Sequence, residues 1–321
     1  MVASRSTDGG QTWKEEGRIH DPAGDGRAYS YHGPVMTRLP DGSLILNAIR
    51  WDRSDPDKPL FNDETAGALP ADTLLYRSTD NGVSWSGPQV VQPPDGMVLT
   101  LSCAIVVLKD GHWMLPMDQW HAFDEPGPYD TRSVVIFSSD EGMTWGDPVT
   151  YGVTNTPGVG HWHGRIHRKK DDSLFTLFWT ANMETGDSMP HHWSVGSADG
   201  HEWSTPAPTN IPGQTNWPVD LGNGKMAVIY TVRETDPPGF YAAISEDDGK
   251  TWDLENQIHV WDATGRATIG VNSMDRYPRS HDTISYGAPT AMVLDDGDIF
   301  TMFWCTEVAV THIRYARLRV G

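Results

Sequence analysis

Residues able to move protons or grip an anion recur at a few places in this chain. In GHWHGRIH, alternation along a strand would set His161, His163, Arg165 and His167 on one face, with the first two imidazoles beside a guanidinium. Imidazole titrates near neutral pH and can take up or release a proton, while guanidinium holds a carboxylate through two parallel hydrogen bonds. Further cations stand at Arg50, Arg233 and Arg279, with carboxylates at Asp52 and Glu234. Trp120, His121, Trp217 and Tyr286 add rings of the kind that stack on the apolar face of a sugar. Two strand histidines could also ligate a divalent cation, but the charge of Arg165 beside them would repel it, so no metal site is expected. Nothing in the pattern asks for a cofactor. The combination points to an acidic carbohydrate as ligand.

Such scattered residues can meet only on a repeated frame, and the frame is written into the sequence. SRSTDGGQTW (4–13), YRSTDNGVSW (76–85), FSSDEGMTW (137–145), SADGHEW (197–203) and ISEDDGKTW (244–252) are versions of one box. A second element, an Asp-Gly turn, recurs out of phase as LPDG (39–42), LKDG (108–111), KKDD (169–172), LGNG (221–224) and LDDG (294–297), with strand-like runs on both sides. A unit of about 50–70 residues therefore reads strand, DG turn, strand, loop, strand, box, strand. Four antiparallel strands per repeat with no convincing helix is the pattern of a β-propeller blade. The box is frame: its Asp accepts turn amides, its Gly supplies a special backbone conformation, and its Trp covers the gap between neighbouring sheets. Both turn types fall on one face of such a blade. The start of its first strand and the end of its second fall on the opposite face near the axis, where the residues named above are expected to line a funnel.

Composition narrows the partners. A formal charge of −19 over 321 residues argues against nucleic acid and against anionic lipid, and no apolar run approaches the length of a membrane span. Two cysteines, Cys103 and Cys305, are too few for a disulfide framework and leave the compartment open, as does the oligomeric state. No secretory leader precedes the first box, which is expected of a chain that opens in mid-blade. Residues 1–321 read as a single propeller domain whose first blade is incomplete at the N-terminus.

The boxes and the ending YGAPTAMVLDDGDIFTMFW resemble the sialidase (neuraminidase) superfamily, and PPGFYAAISEDDGKTWDLENQIHVWD is similar to a group of bacterial sialidase-like proteins within it. The resemblance implies a six-bladed propeller; the alternative is a five-bladed ring closed by the N-terminal strand. It also implies an exo-acting glycoside hydrolase with arginines on a sugar carboxylate and a Tyr nucleophile partnered by a carboxylate. Tyr286 matches the nucleophile's position, before the last DG turn, with Glu234 as a candidate partner and His161 and His163 as perturbing groups. For that work its pKa must fall from about 10. Two departures stand against this. The family's Arg-Ile-Pro motif has only YHGP (31–34) as a counterpart, and the inner strand of GHWHGRIHRKKDD carries no carboxylate. Two other readings therefore stay open: a uronate lyase, with His and Tyr moving protons while Arg neutralises the carboxylate, and a non-catalytic carbohydrate-binding propeller.

Overall fold

Alternating apolar runs broken by tight turns favour pairing with the next run in sequence, and almost every strand pair here is of that antiparallel kind. The computed structural model describes residues 1–62, 64–65, 67–94, 96–126, 132–266 and 284–320. Among them the only helix is one 3-10 turn at Pro22–Gly24, and the strands run from β1 to β22. The fold is an all-β propeller with five blade sheets among the described residues, five where the sialidase resemblance implied six. The N-terminal strand does not complete a blade, as the five-bladed alternative required. β1 (Val2–Arg5) pairs with β2 (Lys14–Arg18) in a separate hairpin, because the first box turns the chain straight back on itself.

The chain divides into two compact units, Met1–Pro128 with Val134–Val149, and Tyr129–Ser133 with Thr150–Gly321. In the N-terminal unit the hairpin is followed by blade one, β3 (Tyr29–Arg38), β4 (Leu44–Asp52), β5 (Ala71–Ser78) and β6 (Ser86–Val90). Blade two holds β7 (Val98–Leu101), β8 (Val106–Val107), β9 (Trp113–Trp120), β10 (Arg132–Ser138) and β11 (Gly146–Tyr151). Ile45, Leu75, Trp113, Leu115, Val134 and Ile136 fill the space between the two sheets.

The C-terminal unit holds three blades. Blade three is β12 (Val159–Arg168), β13 (Leu174–Asn182), β14 (Ser188–Gly196) and β15 (Ala207–Pro208). Blade four is β16 (Asn216–Gly222), β17 (Lys225–Val232), β18 (Gly239–Ser245) and β19 (Ile258–Asp262). Blade five has three strands, β20 (Tyr286–Val293), β21 (Ile299–Glu307) and β22 (Val310–Leu318). Phe175, Leu177, Val228 and Tyr230 join blades three and four; Phe240, Trp261, Tyr286 and Phe303 join four and five.

The boxes are frame, as their sequence suggests. In each, the Trp indole N–H donates to the carbonyl of the box glycine at 2.8–3.1 Å, folding the ring back over the turn. Asp80 accepts from the Ser84 amide at 2.9 Å and from Ser78 at 2.8 Å. Side-chain bonds from Thr12, Ser84 and Thr144, with turn amides, hold the carboxyls of Asp8, Asp80 and Asp140 down at about 2.

One irregularity recurs and positions the site. In blade one the pairing of β3 with β4 jumps from His32↔Ile49 to Val35↔Asn47, so two residues face one. The same bulge lies between Trp162 and Arg165 on β12 and between Gly287 and Thr290 on β20. Its first residue is left-handed each time: Gly33 at φ 56°, His163 at 48°, Ala288 at 48°. A bulge re-aims the side chains beside it, and a left-handed backbone suits glycine far better than histidine.

Candidate functional site: a cation and aromatic face on blade three

The bulge decides how β12 presents its polar residues. His161 lies against Phe178, ring centroids 4.9 Å apart, whereas His163 stacks on Trp179 at 6.0 Å and 20°. Phe178 and Trp179 are consecutive on β13 and point to opposite sides of the sheet. The two histidines therefore do not share a face, contrary to simple alternation. Arg165, opposite Leu177, falls on the Trp179 side, and its guanidinium lies 5.5 Å from the ring of Trp217 on β16. His163 and Arg165 are thus half-buried on one side of the sheet, His163 over the fully buried Trp179 and Arg165 beside the half-buried Trp217. The Nε of Arg165 is buried with no hydrogen-bond partner, and no carboxylate among the described residues pairs with the guanidinium.

His161 is committed elsewhere. It is 4% exposed; its Nδ1 lies 2.7 Å from the Gly152 carbonyl and its Nε2 3.0 Å from His192 Nδ1. The carbonyl can only accept, so Nδ1 carries the proton and Nε2 receives a bond from His192. Burial, then the neighbouring His192, pulls its pKa down to about 4. It is a neutral, fully used imidazole rather than a base facing a ligand.

The remaining C-terminal positions form a second, structural knot. Arg233 is buried; its Nε donates to the Tyr286 carbonyl at 3.0 Å, a second guanidinium nitrogen reaches the same oxygen, and Gln214 accepts from a third. Glu234 is exposed and accepts from Ser188 at 2.9 Å and from Gln214 at 3.0 Å. Tyr286 is wholly buried, and its hydroxyl donates to the Val232 carbonyl at 2.8 Å, not to Glu234. Burial drives its pKa up to about 12, with Arg233 opposing only in part. The expected fall in pKa is thus reversed, because the ring is desolvated and its oxygen has a neutral partner.

In the N-terminal unit, Arg50 lies 4.4 Å above the Tyr29 ring, with its Nε on Asp72 at 2.8 Å and its Nη1 3.6 Å from Asp25. Asp52 caps the turn after β4 through the Ser54 amide at 2.8 Å, with Arg27 at 3.5 Å. Trp120 is 7% exposed, packs on Phe61 at 4.6 Å and donates to Thr100 at 2.9 Å, so its faces are spent on the core. His121 is half-buried and its carbonyl receives the Ala68 amide at 3.0 Å. Arg279 lies outside the described residues.

A family described as BNR repeat-like domain matches residues 1–300. The chain belongs to that family. A protein of unknown function from Dyadobacter fermentans is 19% identical, with a TM-score of 0.72 over all of this chain and 84% of its own. The Hadza microbial sialidase Hz136 is 17% identical with a TM-score of 0.64, matching 99% of this chain, which spans 58% of that one. The intramolecular trans-sialidase from Ruminococcus gnavus is 15% identical at a TM-score of 0.60, over 99% of this chain and 87% of that one. At these identities the likeness is one of fold.

Among the described residues of this BNR repeat-like domain, one group of ligating atoms stands close enough for a metal: those of Cys305, Glu307 and His312 lie within 4.8 Å of one another. Arg314 already bonds the Glu307 oxygen at 2.7 Å and Arg266 stands 3.6 Å from the other, so cations occupy the place an ion would need. Sequence reading missed His20 and Asp25 beside Tyr31. Their only signal is a His, an Asp and a Tyr within HDPAGDGRAYSY, just ahead of an inner strand.

Proposed function

We propose that the protein is a carbohydrate-active propeller, an exo-acting glycoside hydrolase of sialidase type that takes a terminal acidic sugar. The observation that carries this reading is Arg165, an arginine with no carboxylate partner among the described residues, laid beside Trp217 with a buried and unused N–H. A sugar carboxylate would meet that guanidinium through charge-assisted bonds worth about 1.5–3 kcal/mol each. Trp217, half-buried beside the guanidinium, would receive the apolar face of the ring, with His163 on the same side of the sheet. Two of the structural neighbours are sialidases by name, which supports the substrate class without fixing it. Tyr286 and Arg233 hold blade five to blade four in this reading and do not attack the substrate. The uronate-lyase alternative loses support with His161, whose imidazole is buried, neutral and doubly bonded.

The test compares fluorogenic sialosides and their neutral, carboxylate-free analogues on wild type and Arg165→Ala. Loss of affinity by about ten- to a hundredfold for the acidic sugar alone is expected. Equal losses for both sugars would remove Arg165 from carboxylate recognition. Tight binding without any turnover would favour a carbohydrate-binding propeller.

A further inference from the structure

The N-terminal unit contains a second cluster of titratable groups, built around one carboxylate oxygen. Asp25 Oδ2 accepts from the hydroxyl of Tyr31 and lies 2.9 Å from His20 Nε2. His20 Nε2 is also 3.0 Å from the Tyr31 oxygen, so the three groups form a closed triangle. Arg50 Nη1 stands 3.6 Å from the other Asp25 oxygen, and the Met1 ammonium holds the His20 carbonyl at 2.9 Å. Tyr76 closes the cluster beneath, its ring 5.8 Å from His20 and its hydroxyl buried without a partner. The side chains of His20 and Asp25 are each 8% exposed, while Tyr31 is the half-buried member that reaches solvent.

We infer that Tyr31, Asp25 and His20 form an acid–base site in which Tyr31 takes a proton from a water or sugar hydroxyl and relays its own to Asp25. A carboxylate can receive that proton, which a backbone carbonyl cannot. Desolvation by Tyr76 and the surrounding core strengthens the coupling between the three groups. In hydrolysis the attacking water gives a proton to Tyr31 Oη as the Tyr31 proton passes to Asp25 Oδ2. The water oxygen bonds to the anomeric carbon, the glycosidic C–O bond breaks, and the departing oxygen keeps the electron pair and is protonated by solvent. That the substrate is a glycoside rests on the glycosidase reading above; the relay lies wholly within the N-terminal unit and does not depend on that reading or on Arg165.

Two measurements separate those layers. A phenol-selective sulfonyl fluoride, followed by peptide mass spectrometry at pH 7, should label Tyr31 at least about tenfold faster than Tyr315, which is 41% exposed and stacked on Phe300. Asp25→Asn should abolish that advantage while far-UV circular dichroism stays unchanged. In parallel, Tyr31→Phe should lower kcat on any glycoside the wild type cleaves by about a hundredfold or more with KM nearly constant. Labelling of Tyr31 no faster than of Tyr315, an advantage that survives Asp25→Asn, or full turnover by Tyr31→Phe would each overturn the relay. If the wild type cleaves no glycoside, the glycosidase reading falls, and the labelling still decides the relay.

Discussion

Tyr31 and Tyr286 occupy the same place in two blades. Each lies one residue before the start of the bulged pair's register jump, Tyr31 opposite Arg50 and Tyr286 opposite Cys305, and His161 holds that position in blade three. Their surroundings differ in kind. Tyr31 donates to a carboxylate shared with a histidine; Tyr286 donates to the Val232 carbonyl, and His161 to the Gly152 carbonyl. In these three blades the repeat places a polar ring at the inner strand start, but the segment that packs over it decides whether that ring can exchange a proton. Over Tyr31 lies the turn that carries His20 and Asp25, whereas Phe240 and Trp261 pack on Tyr286.

The widest separation between the two tyrosines should appear in kinetics. Tyr31→Phe is expected to cost about a hundredfold in kcat, and Tyr286→Phe to leave turnover within a few fold while lowering stability by about 1 kcal/mol, one buried hydrogen bond. Reversed sensitivities in parallel assays and urea melts would break the comparison at its root.

Next in size is the acid limb of stability. His161 and the fully buried His191 are both pulled down to about 4, in each case first by burial. A base whose pKa is lowered on folding binds its proton more tightly in the unfolded chain. Its contribution is therefore complete above the unfolded value near 6.5 and is lost as pH falls through about 4. Urea midpoints should decline across that window by an amount on the order of a few kcal/mol, and His161→Gln should flatten part of the decline. An unaltered slope in that variant would mean His161 is not held neutral.

Gly287→Ala probes the knot around Tyr286. A Cβ there would stand 2.3 Å from Arg233 Nη2, which is buried and bonded to the Tyr286 carbonyl, so the guanidinium must give way. A loss of about 2 kcal/mol is expected, with no change in the labelling of Tyr31. A neutral effect on the melting curve would show that Arg233 has room to move.

How much of this was legible follows from what a periodic signal can carry. The boxes and Asp-Gly turns repeat, so blades, strand order and the structural role of Asp80 or Trp252 were readable from spacing. Alternation failed at His161 and His163, because one extra residue in the bulge shifts every later side chain on the strand. HGP (32–34), HG (163–164) and AP (288–289) mark the three bulges, yet they share no fixed residue, since what recurs is a backbone conformation. His20 and Asp25 sit on the turn between β2 and β3, where no period exists, and only folding shows that their side chains converge on Tyr31. Trp120 and Tyr286 were placed correctly on their strands, but which face was spent on the core depends on the neighbouring sheet.

The smallest effect reads the bulge itself. Gly33 and His163 hold its first position in blades one and three, both left-handed, so the same backbone should reward glycine and penalise any other residue at each. At Gly33 an added Cβ meets nothing within 4 Å, which leaves backbone strain as the whole cost; Gly33→Ala should lose about 1 kcal/mol. At His163 the strain is already present in the native chain, offset by the stack on Trp179. Glycine and alanine both remove that stack, but only glycine also relieves the strain. His163→Gly should therefore be about 1 kcal/mol more stable than His163→Ala, while both lose affinity for an acidic sugar alike. Equal melting points for the two variants would mean that His163 carries no strain.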